Sequence, residues 1–212
     1  NTYFNEIISK PINTVDGKIL YKIPAGAMCG NGDIGVVFDN DEKDLVIYVS
    51  KCDFWKFTPG AHNDGGIKTV GSIRIKNIDL TEYNIKQYFD KGLLECKFSN
   101  AEIEFFVAPE NLIYFEIKAP GTEASHDVNI ELPDTCGSVN SHVEENGVKC
   151  HSRKFCGENV CRESAVAVCL KEVSSNIADG FKTARYCISV VTNFDAEDYI
   201  NKAFEMVYAC DY

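Results

Sequence analysis

Residues 92–118, GLLECKFSNAEIEFFVAPENLIYFEIK, decide the fold. Apolar and polar side chains alternate through 92–98, 102–108 and 111–118, and the breaks between them, Ser99-Asn100-Ala101 and Pro109-Glu110-Asn111, are short and rich in turn formers. A period of two places successive side chains on opposite faces of a sheet, and connections this short join antiparallel neighbours. The same texture extends outward to 18–23, 34–38, 44–50, 70–76, 83–89, 126–132, 147–151, 163–170 and 184–192, which gives about twelve strands. Asp39-Asn40-Asp41, Asp90-Lys91-Gly92 and Glu145-Asn146-Gly147 are further hairpin connections, with Asn146-Gly147 the clearest two-residue turn. No helical stretches intervene to form crossovers. The expected fold is therefore all-β, a large antiparallel two-sheet super-sandwich over residues 1–193, burying alternate residues such as Ile73 and Ile75, Phe105 and Val107, and Val166 and Val168.

The period changes after Asn193. Ala196, Ile200, Ala203, Phe204 and Val207 recur at helical spacing, which predicts one C-terminal helix capped by Asp195, with Phe194 and Tyr199 as a hydrophobic staple. Residues 194–212 read as the start of a linker helix toward a further domain. Asn1 in place of an initiator Met leads to the matching expectation of a processed or excised piece.

Composition narrows the function. The chain has 212 residues, with 21 basic against 32 acidic side chains and a formal net charge of −11, which argues against nucleic acid or an anionic membrane as partner. No apolar run approaches the roughly 18–20 residues that span a bilayer. Secreted and cytoplasmic settings fit equally. Of ten cysteines, Cys96, Cys169 and Cys187 lie inside apolar runs and read as core thiols, while Cys150, Cys156 and Cys161 form the region best placed for any disulfide.

The stretch 24–66 carries the candidate site. Gly26, Gly30, Gly32 and Gly35 precede a strand with no following Lys-Ser/Thr, which argues against a phosphate loop, and the glycines read as a tight loop or a close backbone approach. Asn31 and Asp33 are then loop-tip groups. Trp55, the single tryptophan, stands near Lys51, Asp53 and His62 and makes a plausible sugar platform, because an aromatic face stacks on pyranose C–H groups while carboxylates and amides bond hydroxyls. The competing reading is a Trp that plugs the sandwich rim. The candidate substrate-binding set is Asn31, Asp33, Asp53, Trp55 and His62. No pair among so many carboxylates singles itself out as a glycosidase acid and base, and no Gly-x-Ser-x-Gly elbow is present. His62, His126, His142 and His151 are dispersed, the spacing of His151 with Cys150, Cys156 and Cys161 is odd for zinc, and the Asp/Asn clusters at 39–41 and 63–64 could bind calcium but are explained more cheaply by turn chemistry. No metal or cofactor is indicated, and no catalytic residue is assigned.

The run Ile23-Pro24-Ala25-Gly26 through Gly30-Asn31-Gly32-Asp33-Ile34-Gly35, then Ser50-Lys51-Cys52-Asp53-Phe54-Trp55, then Val70-Gly71-Ser72-Ile73-Arg74-Ile75, resembles the N-terminal β-sandwich of bacterial glycoside hydrolases related to families 95 and 65. The resemblance continues through Arg153-Lys154-Phe155 and Val190-Val191-Thr192-Asn193-Phe194-Asp195-Ala196 and covers essentially the whole chain. Cys52 within the Ser-Lys-x-Asp-Phe-Trp segment and the cysteine-dense 150–161 region depart from the pattern. The resemblance implies a super-sandwich placed before an (α/α)6 barrel that holds the general acid and base, and no segment here looks like that barrel. The expected function is a non-catalytic domain that braces a barrel of the same polypeptide and lends loops, including that around Asn31 and Asp33, to a cleft for an oligosaccharide or glycan. The alternative is a free-standing carbohydrate-binding module or lectin.

Overall fold

The computed structural model describes residues 26–40, 44–59, 65–121, 126–134 and 137–210, together with the backbone of five short strands among residues 2–24. Those five are β1 (Thr2–Phe4), β2 (Ser9–Pro11), β3 (Thr14–Val15), β4 (Lys18–Ile19) and β5 (Lys22–Pro24). There follow β6 (Met28–Gly30), β7 (Ile34–Asn40), β8 (Leu45–Lys56), β9 (Gly66–Ile75), β10 (Tyr83–Tyr88), β11 (Leu93–Phe98), β12 (Glu102–Val107), β13 (Leu112–Pro120), β14 (Val128–Glu131), β15 (Val139–Glu145), β16 (Val148–Phe155), β17 (Ser164–Ala178), β18 (Phe181–Thr192) and α1 (Tyr199–Tyr208).

The fold is an all-β sandwich of two antiparallel sheets with a C-terminal helix. A five-stranded sheet runs β14-β9-β8-β7-β6, and a nine-stranded sheet runs β1-β10-β11-β12-β13-β18-β17-β16-β15. The larger sheet joins two meanders, β10 to β13 and β15 to β18, along the β13–β18 ladder. The predicted hairpins hold: Asn146 and Gly147 have φ of 49° and 77°, the left-handed pair that a two-residue type I′ turn requires. Asp179-Gly180 does the same at the tip of β17 and β18, with φ of 54° and 78°.

The core lies between the sheets. Val36, Phe38, Ile47, Phe54, Ile73 and Ile75 of the small sheet meet Phe105, Phe115, Val166, Val168, Ile188 and Val190 of the large one, and the Phe38 ring packs edge-on against Phe105 at 5.2 Å between centroids. Val107 is only partly buried. Residues 164–170 of β17 are buried on both faces, since α1 covers the side turned away from the small sheet. Beneath it lie Leu112, Val148, Cys150, Ala167, Cys169, Cys187 and Val191 against Ala203, Phe204 and Val207. This second layer explains the continuous apolar run where alternation fails. It also buries Cys169 and Cys187, while Cys96 sits in the core between the sheets. All nine described cysteines are free; Cys150 faces Cys169 across the β16–β17 ladder, whereas Cys156 and Cys161 are exposed.

Two expectations are corrected. The helix begins at Tyr199 with Asp198 as its N-cap, whose carboxylate accepts the Asn201 N–H at 3.3 Å. Asp195 instead closes a turn by accepting the Thr192 N–H at 2.8 Å, so it is not free to cap, and Phe194 and Tyr199 do not occupy staple positions. Strand β8 does not end at Ser50 but runs on to Lys56.

Helix α1 is fixed by specific bonds as well as by its apolar face. Ser189 Oγ donates to the Ala203 carbonyl at 2.8 Å, and Lys171 Nζ donates to the Val207 carbonyl at 3.1 Å, supplying a cation to the helix C-terminus. Phe204→Ala is expected to lower unfolding free energy by about 3 kcal/mol in urea titration, the usual cost of removing a buried Phe side chain.

Candidate functional site

The site begins with a bulge. Between the pairs Ser50↔Thr69 and Trp55↔Ile67, the four residues Lys51 to Phe54 of β8 stand opposite the single residue Lys68 of β9. Extra residues in one strand re-aim its side chains. Here Lys51 and Phe54 turn inward to full burial, while Cys52, Asp53 and Trp55 reach solvent to differing degrees. On the other flank β8 keeps register with β7, where the Cys52 N–H donates to the Asp33 carbonyl at 2.9 Å.

The Lys51 side chain is 1% exposed, and its ammonium meets three carboxylates: Asp33 at 2.8 Å, Asp53 at 3.1 Å and Asp195 at 3.2 Å. An ammonium has three N–H donors, so all are spent. The carboxylates come from the loop before β7, the bulge, and the turn after β18, which brings three distant segments to one point. Thr192 Oγ lies 2.7 Å from Asp53 Oδ2 and adds a further tie to β18.

The Gly-Asn-Gly-Asp loop is built for this geometry. Asn31 Oδ1 accepts the N–H groups of Asp33 (3.0 Å) and Ile34 (2.8 Å), while its Nδ2 donates to Ala108 O and Asn111 Oδ1, both at 2.8 Å. Asn111 Nδ2 in turn donates to Asp33 Oδ2 at 2.6 Å. A Cβ on Gly30 would stand 2.4 Å from the Ile34 carbonyl oxygen, and Gly32 has φ of 99°, so the glycines serve a close approach and a left-handed turn.

Electrostatics follow from the packing. Burial pushes the Asp33 carboxyl upward, but hydrogen bonds from Cys52, Lys51 and Asn111 and the Lys51 charge outweigh it and hold the group below its ordinary value. Burial likewise works against the Lys51 ammonium, and bonds to Asp33 and Asp53 with the charges of Asp195 and Asp53 overcome it, so its pKa is raised. The Cys52 thiol donates to Asp33 Oδ1 at 2.8 Å; that bond first, then burial and the nearby carboxylates, raises its pKa. It is a thiol and not a nucleophilic thiolate at neutral pH.

Asn31, Asp33 and Asp53 therefore converge on Lys51. Trp55 stands two residues beyond Asp53, 37% exposed, its indole N–H donating to the Cys52 carbonyl at 2.7 Å. Its ring stacks toward Phe57 at 6.4 Å, Phe57 meets Phe194 at 6.2 Å, and exposed Ile67 pairs with Trp55 across the ladder. His62 lies outside the described residues. Asp195, Asn111 and Thr192 complete the site and escape a reading of sequence alone; the available signal is a lysine that follows an apolar strand and stands two residues before Asp53. Among the described residues no group of three or more His, Cys, Asp or Glu side chains is arranged to hold a metal ion.

With every Lys51 donor used, the remaining hydrogen-bonding capacity at the surface is mainly carboxylate acceptor. One cation against three anions leaves the Lys51 cluster net negative and suited to a ligand that brings hydroxyl or ammonium donors, while the Arg162 guanidinium lies over the Phe194 ring at 4.5 Å and the Phe57 ring at 5.9 Å. No protein-family model matches this sequence, and no curated protein matches it.

Lys51→Met leaves three clustered carboxylates without their cation and is expected to cost about 3–5 kcal/mol, as when one partner of a buried ion pair is removed; chemical denaturation measures it. The pH dependence has a definite sign. The Asp33 contribution is present above its unfolded value of 3.8 and is lost as pH falls through the lower folded value, and the Lys51 contribution is present below 10.5 and is lost as pH rises through the higher folded value. Asp33→Asn is expected to flatten the acid limb of stability measured by denaturation from pH 2 to 6.

Proposed function

We propose that this chain is a non-catalytic N-terminal domain of a carbohydrate-active glycoside hydrolase, bracing an (α/α)6 barrel of the same polypeptide and lending its Lys51 end to the sugar cleft. The observation that carries the reading is the convergence of Asn31, Asp33 and Asp53 on one buried lysine beside a partly exposed indole. Carboxylate acceptors next to an aromatic face match the two needs of a pyranose, hydroxyl bonding and C–H stacking. Neutral sugars fit the site's charge better than uronic or sialic acids.

The chemistry of the site favours a supporting role. A glycosidase acid needs a carboxyl whose pKa is raised so that it carries a proton at neutral pH, and Asp33 is shifted the opposite way. Asp53 and Asp195 are both engaged with the same ammonium. The exposed apolar side chains beside them, Trp55 and Ile67, with Phe57 and Phe194 under the Arg162 guanidinium, support contact with a second body. The half-open indole also favours the reading of a free-standing carbohydrate-binding module, which uses the same residues without a barrel.

A glycan array followed by calorimetric titration of residues 1–212 tests the sugar face. The expected result is weak binding of neutral oligosaccharides, with Kd on the order of 1 mM, at least tenfold weaker in Trp55→Ala, and no hydrolysis. Hydrolysis by the chain itself overturns the supporting role, and absence of any glycan binding at 10-fold higher concentration removes the sugar-facing assignment.

A further inference from the structure

The hairpin of β15 and β16 carries a second, separate arrangement. Its ladder pairs His142 directly with His151, and the two imidazole rings stand 4.4 Å apart between centroids at 46° to one another. β15 is the outer edge of the nine-stranded sheet and is exposed along its whole length, while β16 is held between β15 and β17. One ring thus projects from an open edge and the other from a rigid inner strand.

No hydrogen bond from a described residue reaches either ring, and the two face each other without a carboxylate between them. Side chains directly opposite on an antiparallel pair have Cβ atoms about 4.5–5.5 Å apart. A metal ion held by two imidazoles lies about 2.0–2.1 Å from each ligating nitrogen, so two facing rings at this separation need only side-chain rotation to share one ion in a cis arrangement. Neighbouring positions on the same face are Asn140 and Glu144 of β15 and Lys149 and Arg153 of β16. Lys149 Nζ donates to Asn129 Oδ1 at 3.0 Å while its charge still reaches His151, and Arg153 is turned into the core over the Phe155 ring.

We propose that His142 and His151 form a two-imidazole chelate for a divalent first-row transition ion, with the remaining coordination positions left to water or an external donor. Imidazole donors suit Cu²⁺, Ni²⁺ and Zn²⁺ and do not suit Ca²⁺ or Mg²⁺, and the general order of affinity places Cu²⁺ first. The strands hold both donors in place, so the second bond forms at high effective concentration. The arrangement involves none of the residues around Lys51 and stands independently of any role in sugar binding.

Calorimetric titration of the untagged chain with Ni²⁺, Cu²⁺ and Ca²⁺ tests this, with the imidazole C–H resonances followed by NMR. The expected result is one Cu²⁺ or Ni²⁺ per chain, no Ca²⁺ binding, and selective broadening of the His142 and His151 signals. His142→Ala lies at an exposed position that the fold does not need, and it should weaken binding roughly 100-fold by removing the chelate. Cys156→Ser with Cys161→Ser should leave it unchanged. Binding that survives His142→Ala, or that is lost with the two exposed thiols, overturns the proposal, as does broadening confined to His62 or His126.

Discussion

A buried ammonium with three carboxylates around it is the constraint on which one end of this sandwich depends. Burying Lys51 would be prohibitive if it were left alone, because a desolvated charge costs several kcal/mol after relaxation. The structure offsets that cost by bringing Asp33, Asp53 and Asp195 to within 3.2 Å. Each lies on a different segment, so satisfying one side chain fixes the loop before β7, the bulge of β8 and the exit from β18 relative to one another. Asn31 and Asn111 then lock the loop side, and Thr192 the β18 side. The bulge is the structural cause: without the extra residues opposite Lys68, strand alternation would not place Lys51 and Phe54 both inside while Asp53 and Trp55 reach the rim.

How far this was legible in the sequence depends on the range of the interactions. Alternation and short turns are local, and they identified the meanders β10 to β13, the Asn146-Gly147 turn and the inward sets on most strands. Several strand segments leave no such mark, β6 among them. β15 is exposed on both faces, so its side chains, Val-Asn-Ser-His-Val-Glu-Glu, carry no period, and β17 beyond Leu170 is largely solvent-facing in the same way. The first part of β9, residues 66–69, is also partly exposed. These segments are strands because a neighbour supplies backbone partners, which no local pattern records.

The candidate site divides along the same line. Asn31, Asp33, Asp53 and Trp55 stood out because they cluster near glycines or beside one another in the chain. Asn111 and Asp195 come from 78 and 162 positions beyond Asp33, and only the packing of the sheets selects them. Asp195 precedes an amphipathic run and so has the local pattern of a helix cap, but its carboxylate is spent on Thr192 and Lys51, and Asp198, the next suitable side chain, takes the cap. The competition was between a local bond worth about 1 kcal/mol and the neutralisation of a buried charge, and the larger effect won.

Register joins these observations. A two-residue turn at Asn146-Gly147 dictates that Glu145 faces Val148, and every further pair up the hairpin follows from that choice, His142 opposite His151 among them. The pairing of two histidines nine residues apart was therefore implicit in a turn that the sequence displays, once β15 is known to be a strand. At Lys51 the reverse holds: register is broken, and the break assembles the site. Regular pairing presents side chains that the sequence places symmetrically about a turn, whereas a bulge gathers residues that no symmetry relates. The sheets accordingly offer two kinds of polar cluster, one computable from a turn and one created where the ladder slips, and only the second draws residues from both sheets, Asp33 and Asp53 from one and Asn111 and Asp195 from the other.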